Sequence, residues 1–251
     1  MTFEPYSFLM IASIMLALVL SGSVKGVFGI GFPVVAMAIL PLFITPISAI
    51  TVIALPILVT NIQQLFSEKE WRHIIIKYRY MALFMLLASF LSSQILTQIS
   101  VDLITAIIGF ALALFAIYSL FNFTLPITTH SSWQIIAGAS SGLLSGMTGI
   151  QSTAIIYFAS LDISRDEFVG AVGYIFLVGG LGLTIGLINN NFLNSSTVML
   201  SLFGVLFSVV GFKLGSLLRP YIHSELFKKL LFLLMLIIGM KQIYQFFANS
   251  I

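Results

Sequence analysis

The chain has 251 residues, of which 59% are hydrophobic and only 8% are charged, and its mean hydropathy is +1.13. Soluble domains are roughly a quarter charged, so this composition excludes a water-soluble globular protein and predicts an integral membrane protein. The absence of cysteine excludes disulfides and thiolate metal sites. The net charge of +3 is attributed to loops that orient the chain in the bilayer, and no nucleic-acid partner is expected.

Five apolar segments are predicted in the first half from the positions of charges, prolines and polar clusters. The third is followed by a basic loop at 69–79 with four lysines and arginines, whereas the turn between the fourth and fifth has none. The predicted segments are 6–25, 30–43, 48–66, 80–99 and 103–121. A polar linker at 122–132 follows, so the first transmembrane repeat is predicted to be 1–121.

The second half, 133–251, is predicted to be a second transmembrane repeat with the same order. Here the loop after the third segment, 189–194, has no basic residue, whereas the loop between the fourth and fifth, 219–229, has three. The predicted segments are 133–145, 150–161, 168–188, 195–218 and 230–247.

The charge of matching loops predicts how the two halves are oriented. Lysine and arginine favour the cytoplasmic side, so loops 69–79 and 219–229 are predicted to be cytoplasmic, and loop 189–194 and both termini external. Matching loops then face opposite sides, which is typical of the inverted-topology repeats of many secondary transporters. The predicted fold is an all-α membrane protein with about eight to ten segments in two inverted repeats.

A glycine motif ends the first segment of each half. Three glycines and an isoleucine recur 120 residues apart, at Gly22, Gly26, Gly29 and Ile30 and at Gly142, Gly146, Gly149 and Ile150. The segments after the motifs have roughly 14 and 12 residues, or ~18–21 Å of helix, which is too short to cross ~30 Å of hydrocarbon. They are predicted to be short or re-entrant half-helices whose N-termini lie in the membrane and suit an anion. The alternative is that the glycines only let helices pack closely.

The candidate anion site combines the two motifs with amide and hydroxyl side chains. Asn61 and Gln64 are expected to be supporting contacts in the third segment. Lys25 is either a counter-charge for the anion or a lysine that extends to the headgroups. The candidate substrate-binding residues are Lys25, Gly26, Gly29, Ile30, Gly31, Asn61, Gln64, Gly146, Gly149, Ile150, Gln151, Ser152 and Thr153.

Catalytic and metal chemistry find no support in the residue pattern. The three histidines fall in different predicted loops, without a carboxylate at ligand spacing, so no metal and no cofactor are predicted. All eight acidic residues lie at termini or in predicted loops, so no intramembrane proton carrier is evident. The protein is therefore predicted not to be an enzyme.

The paired motifs, 26–31 and 146–150, at the head of each half of a ~250-residue polytopic chain, resemble the sulfite exporter TauE/SafE family. The resemblance implies a permease of the prokaryotic inner membrane that moves sulfite, sulfonates or related organosulfur anions, usually outward. This sequence departs from the family pattern at Phe32, Pro33 and Gln151, where further glycines are expected, and at Lys25. These departures lie on the presumed ligand side and affect substrate identity more than transport.

The resulting expectation is a secondary transporter that moves a small anion by alternating access. Its expected partners are that anion and the lipid bilayer, and the sequence leaves the oligomeric state open. The alternatives are an intramembrane enzyme or assembly factor, disfavoured by the lack of a reactive cluster at depth, and a passive anion channel, disfavoured by the lack of a wide polar helix face.

Overall fold

A computed structural model of the chain describes residues 7–121, 125–218, 221 and 224–249. Within these ranges the backbone forms α-helices joined by short turns, and no β-strand occurs. The helices are α1 Phe8–Phe28, α2 Phe32–Ile39, α3 Pro46–Ser67, α4 Trp71–Lys77, α5 Arg79–Gln94, α6 Val101–Phe121, α7 Ser131–Thr148, α8 Ser152–Ala159, α9 Arg165–Asn189, α10 Ser195–Leu218 and α11 Ser224–Asn249.

All ten predicted apolar segments lie on helices, and one stretch that was predicted to be a loop also contains a helix. The basic stretch 69–79 contains the helix α4, whose Ile74 is buried while Arg72 and His73 are exposed. A short helix with one apolar face lies on the bundle this way because its charged face stays in water. The prediction of a loop there was wrong, since the single buried face of seven residues gave too weak a pattern.

Seven helices in the described part of the chain are long and apolar enough to cross a bilayer. By contrast, α2 and α8 have eight residues each, about 12 Å of helix, and cannot span. α7 has 18 residues, but its five serines and three glycines make it less apolar than the seven. The prediction of an all-α membrane protein with a short segment after each glycine motif is confirmed.

The third glycine of each motif ends its helix. Gly29 and Gly149 adopt the left-handed conformation, with φ of 79° and 72°, which residues with a Cβ adopt only at a cost. Their N–H groups donate to the carbonyls of Lys25 and Ser145, at 2.7 Å in both cases. α1 and α7 therefore stop there, and the chain turns into α2 and α8.

The first two glycines of each motif pack helices together. A Cβ at Gly22 or Gly26 would meet the backbone of α10, and one at Gly142 or Gly146 would meet the backbone of α5. α10 returns the contact, because a Cβ at Gly211 would meet the Val19 carbonyl of α1. At these positions the geometry is that of close helix packing by small residues.

The two halves make matching contacts. α1 packs on α10 and α7 packs on α5, each as a parallel pair, while α3 packs antiparallel to α9 and α6 packs on α11. By their order in the chain, α1, α3, α5 and α6 of the first half correspond to α7, α9, α10 and α11 of the second. Replacing each helix by the corresponding one gives the same four contacts again. α3 and α9 are the most buried of the long helices and form the centre of the bundle.

Candidate functional site

The side chain of Lys25 points into the bundle. It lies in the last turn of α1, is 2% exposed, and its Nζ donates to Asn61 Oδ1 at 2.6 Å and to Thr60 Oγ1 at 3.2 Å. Both partners belong to α3. The alternative that this lysine extends to the headgroups does not fit such a position.

The two acceptors are held by their own helix. Asn61 Nδ2 donates to the Ile57 carbonyl at 2.7 Å, and Thr60 Oγ1 donates to the Pro56 carbonyl at 2.7 Å. Each side chain thus turns an oxygen lone pair towards Lys25, and neither carries a charge. An ammonium has three N–H donors, so two neutral partners leave one donor for a further ligand.

A cavity of about 360 Å³ lies beside Lys25. It brings together four predicted site residues, Lys25, Gly26, Gly29 and Gln64, near the end of α3 and the start of α9. Its full lining is Lys25, Gly26, Phe28, Gly29, Gln63, Gln64, Ser67, Glu68, Arg165, Asp166, Val169, Phe212 and Ser216.

Three charged residues that the sequence reasoning did not assign to the site line the same cavity: Glu68, Arg165 and Asp166. Arg165 and Asp166 are exposed and mark its outer end. Burial and the neighbouring Asp166 carboxylate raise the pKa of Glu68. Arg165 could have been predicted to lie at the mouth of such a cavity, because it stands directly before a long apolar segment.

Glu167, one residue further along α9, does not line this cavity and contacts Lys77 and Tyr78 instead. Its Oε1 lies 2.5 Å from Lys77 Nζ, the ion pair found among the described residues, and accepts from Tyr78 Oη at 2.7 Å. Burial, and then the hydrogen bond to Glu167, raise the pKa of the Tyr78 hydroxyl well above its usual range. Among the residues that the structure describes, neither Lys25 nor Arg165 has a carboxylate within ion-pair distance.

The second motif is a closed, uncharged polar cluster. Gln151 and Ser152 are fully buried, and Gln151 Nε2 donates to Ser145 Oγ at 3.0 Å and to the Phe176 carbonyl at 3.4 Å. Three polar atoms here have no partner, namely Gln151 Oε1, Ser152 Oγ and Thr153 Oγ1. Buried polar atoms are normally hydrogen-bonded, so a ligand or water is the natural partner for them.

Several predicted anion donors are already engaged. The amides of Gly29 and Gly149 cap their own helices, and the Ile150 amide donates to Thr148 Oγ1 at 3.0 Å. The side-chain nitrogen of Gln151, Nε2, also donates within the protein, so its side chain has only the acceptor Oε1 left for a ligand. In this conformation these groups do not present a donor to an anion, contrary to the expected arrangement.

The remaining predicted residues divide between ligand surface and packing. Gly146 lies against α5, where a Cβ would meet the Ser89 carbonyl. Gly31 is buried with φ of 101° and is the N-cap residue directly before α2, and Ile30 beside it is half-buried. Gln64 donates to the Val169 carbonyl at 2.8 Å, and its Oε1 has no partner.

The two motifs do not meet at one point. Gly29 of the first motif lies against α9 at Val169, the residue that Gln64 also contacts, whereas Gln151, directly after the second motif, contacts α9 at Phe176. Seven residues of helix separate these levels by about 10 Å. The first motif lines a cavity and the second lies deeper among packed helices.

Comparison with known proteins agrees with this architecture. The model of the family described as "Sulfite exporter TauE/SafE" matches residues 14–242, nearly the whole chain. No curated protein and no solved structure matches the chain. The match covers both glycine motifs, α3 and α9. This multi-pass membrane protein therefore belongs to the TauE/SafE family of sulfite-exporter membrane permeases.

Proposed function

We propose that this protein is a secondary transporter that moves a small anion, sulfite or an organosulfonate, across a prokaryotic inner membrane by alternating access. The observation that carries the proposal is Lys25, a buried lysine with only neutral hydrogen-bond partners that lines a cavity. A cation inside a membrane protein is costly unless it is compensated, and an anionic substrate supplies the missing charge. A cavity of about 360 Å³ lies near the lower end of the roughly 300–1,000 Å³ typical of ligand pockets, which suits a small ligand.

The two motifs would serve one substrate in different ways. The first motif supplies charge through Lys25, while its half-helix begins with Phe32 and Pro33 and offers no side-chain donor. The second motif supplies unpartnered hydroxyls from Ser152 and Thr153 at the N-terminus of α8, where the helix dipole also favours an anion. A pyramidal or tetrahedral oxyanion accepts hydrogen bonds from several directions, and because the two sets lie about 10 Å apart it would bind to them in succession.

The matching contacts of the two halves support alternating access. One pair of corresponding helices, α3 and α9, runs antiparallel, as an inverted pair of repeats requires. Such a pair of repeats can exchange conformations, so that the cavity opens at the first motif in one state and at the second in the other. In this conformation Gly26 and Gly29 of the first motif line the open cavity, whereas Gln151 and Ser152 are fully buried.

Flux into proteoliposomes tests this function. We expect saturable movement of radiolabelled sulfite or sulfoacetate, measured against sulfate with and without a pH gradient, and accelerated exchange when the anion is present on both sides. Accelerated exchange is expected of a carrier and not of a passive channel. Chemical identity of the recovered anion with the one supplied separates transport from an enzymatic reaction.

A matched pair of lysine variants tests the site. Lys25→Gln removes the buried charge, whereas Lys213→Gln removes the charge of an exposed lysine on α10. Loss of a charge-assisted hydrogen bond of ~1.5–3 kcal/mol corresponds to a roughly 10- to 100-fold weaker anion affinity for Lys25→Gln. Unchanged affinity in Lys25→Gln, with normal insertion, contradicts the proposed role of this residue.

A further inference from the structure

A second polar cavity lies at the opposite end of the bundle. Its volume is about 360 Å³, and it forms where the turn after α2, the start of α3, the start of α6 and the end of α11 meet. Pro46 at the beginning of α3 lines it, whereas the Lys25 cavity is lined by Ser67 at the end of α3. The two cavities therefore belong to opposite faces of the membrane protein.

Two opposite charges line this second cavity without pairing. Asp102, in the first turn of α6, and Lys241, in α11, both lie in its wall and are exposed. Among the described residues the ion pair within 4.0 Å is Lys77–Glu167, so Asp102 and Lys241 are further apart than that. Two separated charges of opposite sign across one cavity suit a ligand that carries both signs.

A buried amide adds an acceptor to the same wall. Gln242 is 5% exposed, lines the cavity, and its Oε1 has no hydrogen-bond partner. A buried amide oxygen without a partner is costly and calls for a donor. An ammonium group has three N–H donors and can serve Asp102 and Gln242 together.

The surroundings of the cavity are those of a lipid headgroup. Ile238 and Phe246 line it, and the outward face of α11 beside it exposes Ile237 and Met240. Asp102 lies one residue from the start of a helix that is long and apolar enough to cross a bilayer. The end of such a helix is expected at the bilayer interface. An acyl chain can run along α11 while its headgroup enters the polar cavity.

We propose that this cavity binds a phospholipid with a phosphoethanolamine headgroup. Its primary ammonium is held by the Asp102 carboxylate and Gln242 Oε1, and its phosphate by the Lys241 ammonium. The site is separate from the anion path, so it does not depend on the proposed transport function. A free phosphoethanolamine ion shares this headgroup chemistry, and the position beside the lipid-exposed face of α11 favours the lipid.

Native mass spectrometry of the full-length protein with three lipids of identical acyl chains tests the proposal. Phosphoethanolamine presents an ammonium with N–H donors, phosphocholine a cation without them, and phosphoglycerol no cation. We expect the phosphoethanolamine lipid to bind at least about tenfold more tightly than the other two, the difference made by one charge-assisted hydrogen bond. Equal binding of the three overturns the proposal.

Variants of the two exposed charges locate the site. Asp102→Asn is expected to weaken binding of the phosphoethanolamine lipid roughly tenfold and to leave the phosphoglycerol lipid unchanged, because only the first carries the ammonium. Lys241→Gln is expected to weaken both lipids, since both carry the phosphate. The matched control is Lys213→Gln, an exposed lysine on another helix, with no expected effect. An unchanged preference in Asp102→Asn overturns the assignment.

Two further measurements keep the test independent of folding and of the ligand's source. Gln242→Met keeps the buried volume and removes the acceptor, so a normally folded variant should lose part of the preference for the ammonium. The phosphoethanolamine lipid should also raise the thermal unfolding midpoint of the wild type and not that of Asp102→Asn, because a ligand stabilises the state that it binds. If free phosphoethanolamine binds with the same variant pattern while its lipid shows no preference, the lipid assignment is overturned.

Discussion

At the scale of single residues, the central feature is a buried cation with neutral partners. Lys25 is compensated by the oxygens of Thr60 and Asn61, which solvate the ammonium without neutralising it. A carboxylate in either position would cancel the charge. In the proposed function, this arrangement would keep the positive charge available to an anion while limiting its cost in the membrane.

Asn61→Asp is expected to lower the affinity of the Lys25 site for an anion. The new carboxylate would stand where Asn61 Oδ1 now lies, 2.6 Å from Lys25 Nζ, and would pair with the lysine. We expect anion affinity to fall roughly tenfold or more while the protein still inserts and folds. The matched control is Gln63→Asp, which adds the same charge to the cavity wall from an exposed position. An equal loss in both variants would point to long-range repulsion instead, as measured by anion titration.

The glycines at positive φ provide a second prediction at this scale. Gly29→Ala and Gly149→Ala both place a Cβ in the left-handed region, at ~1–2 kcal/mol each. At Gly29 the nearest neighbour of that Cβ is Val169 at 3.7 Å, whereas at Gly149 it is Ile53 Cδ1 at 2.8 Å. Gly149→Ala should therefore lower the thermal unfolding midpoint more than Gly29→Ala.

Removing the crowded methyl checks this cause. Ile53→Val deletes Cδ1, so it should recover the extra loss in the Gly149→Ala protein, although alone it costs ~0.5–1.5 kcal/mol. Additive effects of the two substitutions would show that the contact is not what distinguishes the two glycines.

At the scale of elements, α3 is interrupted and repaired by its neighbour. Pro56 lacks an N–H, so the Val52 carbonyl four residues earlier loses its helical donor. Ser201 Oγ of α10 donates to that carbonyl at 3.0 Å and accepts from the Leu55 amide at 3.2 Å. α10 thus satisfies the defect in α3 one turn before the residues that hold Lys25.

A double-mutant cycle tests this repair. Ser201→Ala is expected to cost about 1–2 kcal/mol, because it leaves the Val52 carbonyl without a donor. Pro56→Ala restores the helical N–H, so Ser201→Ala should cost less in that background, and unfolding of the four proteins in detergent measures the difference. Equal costs in the two backgrounds would mean that the serine stabilises the bundle by another route.

At the scale of the whole molecule, the contacts separate two faces. Ser67 and Ser216 line one cavity, which places the ends of α3 and α10 together. On the other face, Asn189 donates to Gln94 Oε1 at 2.7 Å, where α9 meets the end of α5. The helices leading to the predicted cytoplasmic loops 69–79 and 219–229 thus end on one face, and loop 189–194 begins on the other.

Single cysteines in this cysteine-free chain test the orientation. Lys69→Cys should react with an impermeant thiol reagent only after permeabilisation, whereas Gln98→Cys, exposed in the turn before α6, should react in intact cells. The physical reason is the excess of lysine and arginine near Lys69. Labelling of Lys69→Cys in intact cells would reverse the proposed topology and the face to which the Lys25 cavity opens.

The sequence by itself determined the class of fold and the position of most helices. A bilayer demands long apolar runs, so the ten segments could be located from the positions of the prolines, charges and polar clusters that interrupt those runs. The repeated motif also located the two breaks at Gly29 and Gly149, because a helix that stops inside an apolar region needs residues tolerant of positive φ.

Only the tertiary structure decided what each motif residue does. Hydropathy does not encode which helix faces which, and the decisive contacts join residues far apart in the chain: Lys25 and Asn61 are separated by 36 positions, Val52 and Ser201 by 149. One spacing of glycines thus combines packing at Gly22 and Gly26 with a turn at Gly29. The separation of the two motifs along α9, and the pairing of Lys25 with uncharged oxygens, follow from interhelical packing, which depends on side-chain shape at each crossing and not on the apolar pattern of any single helix.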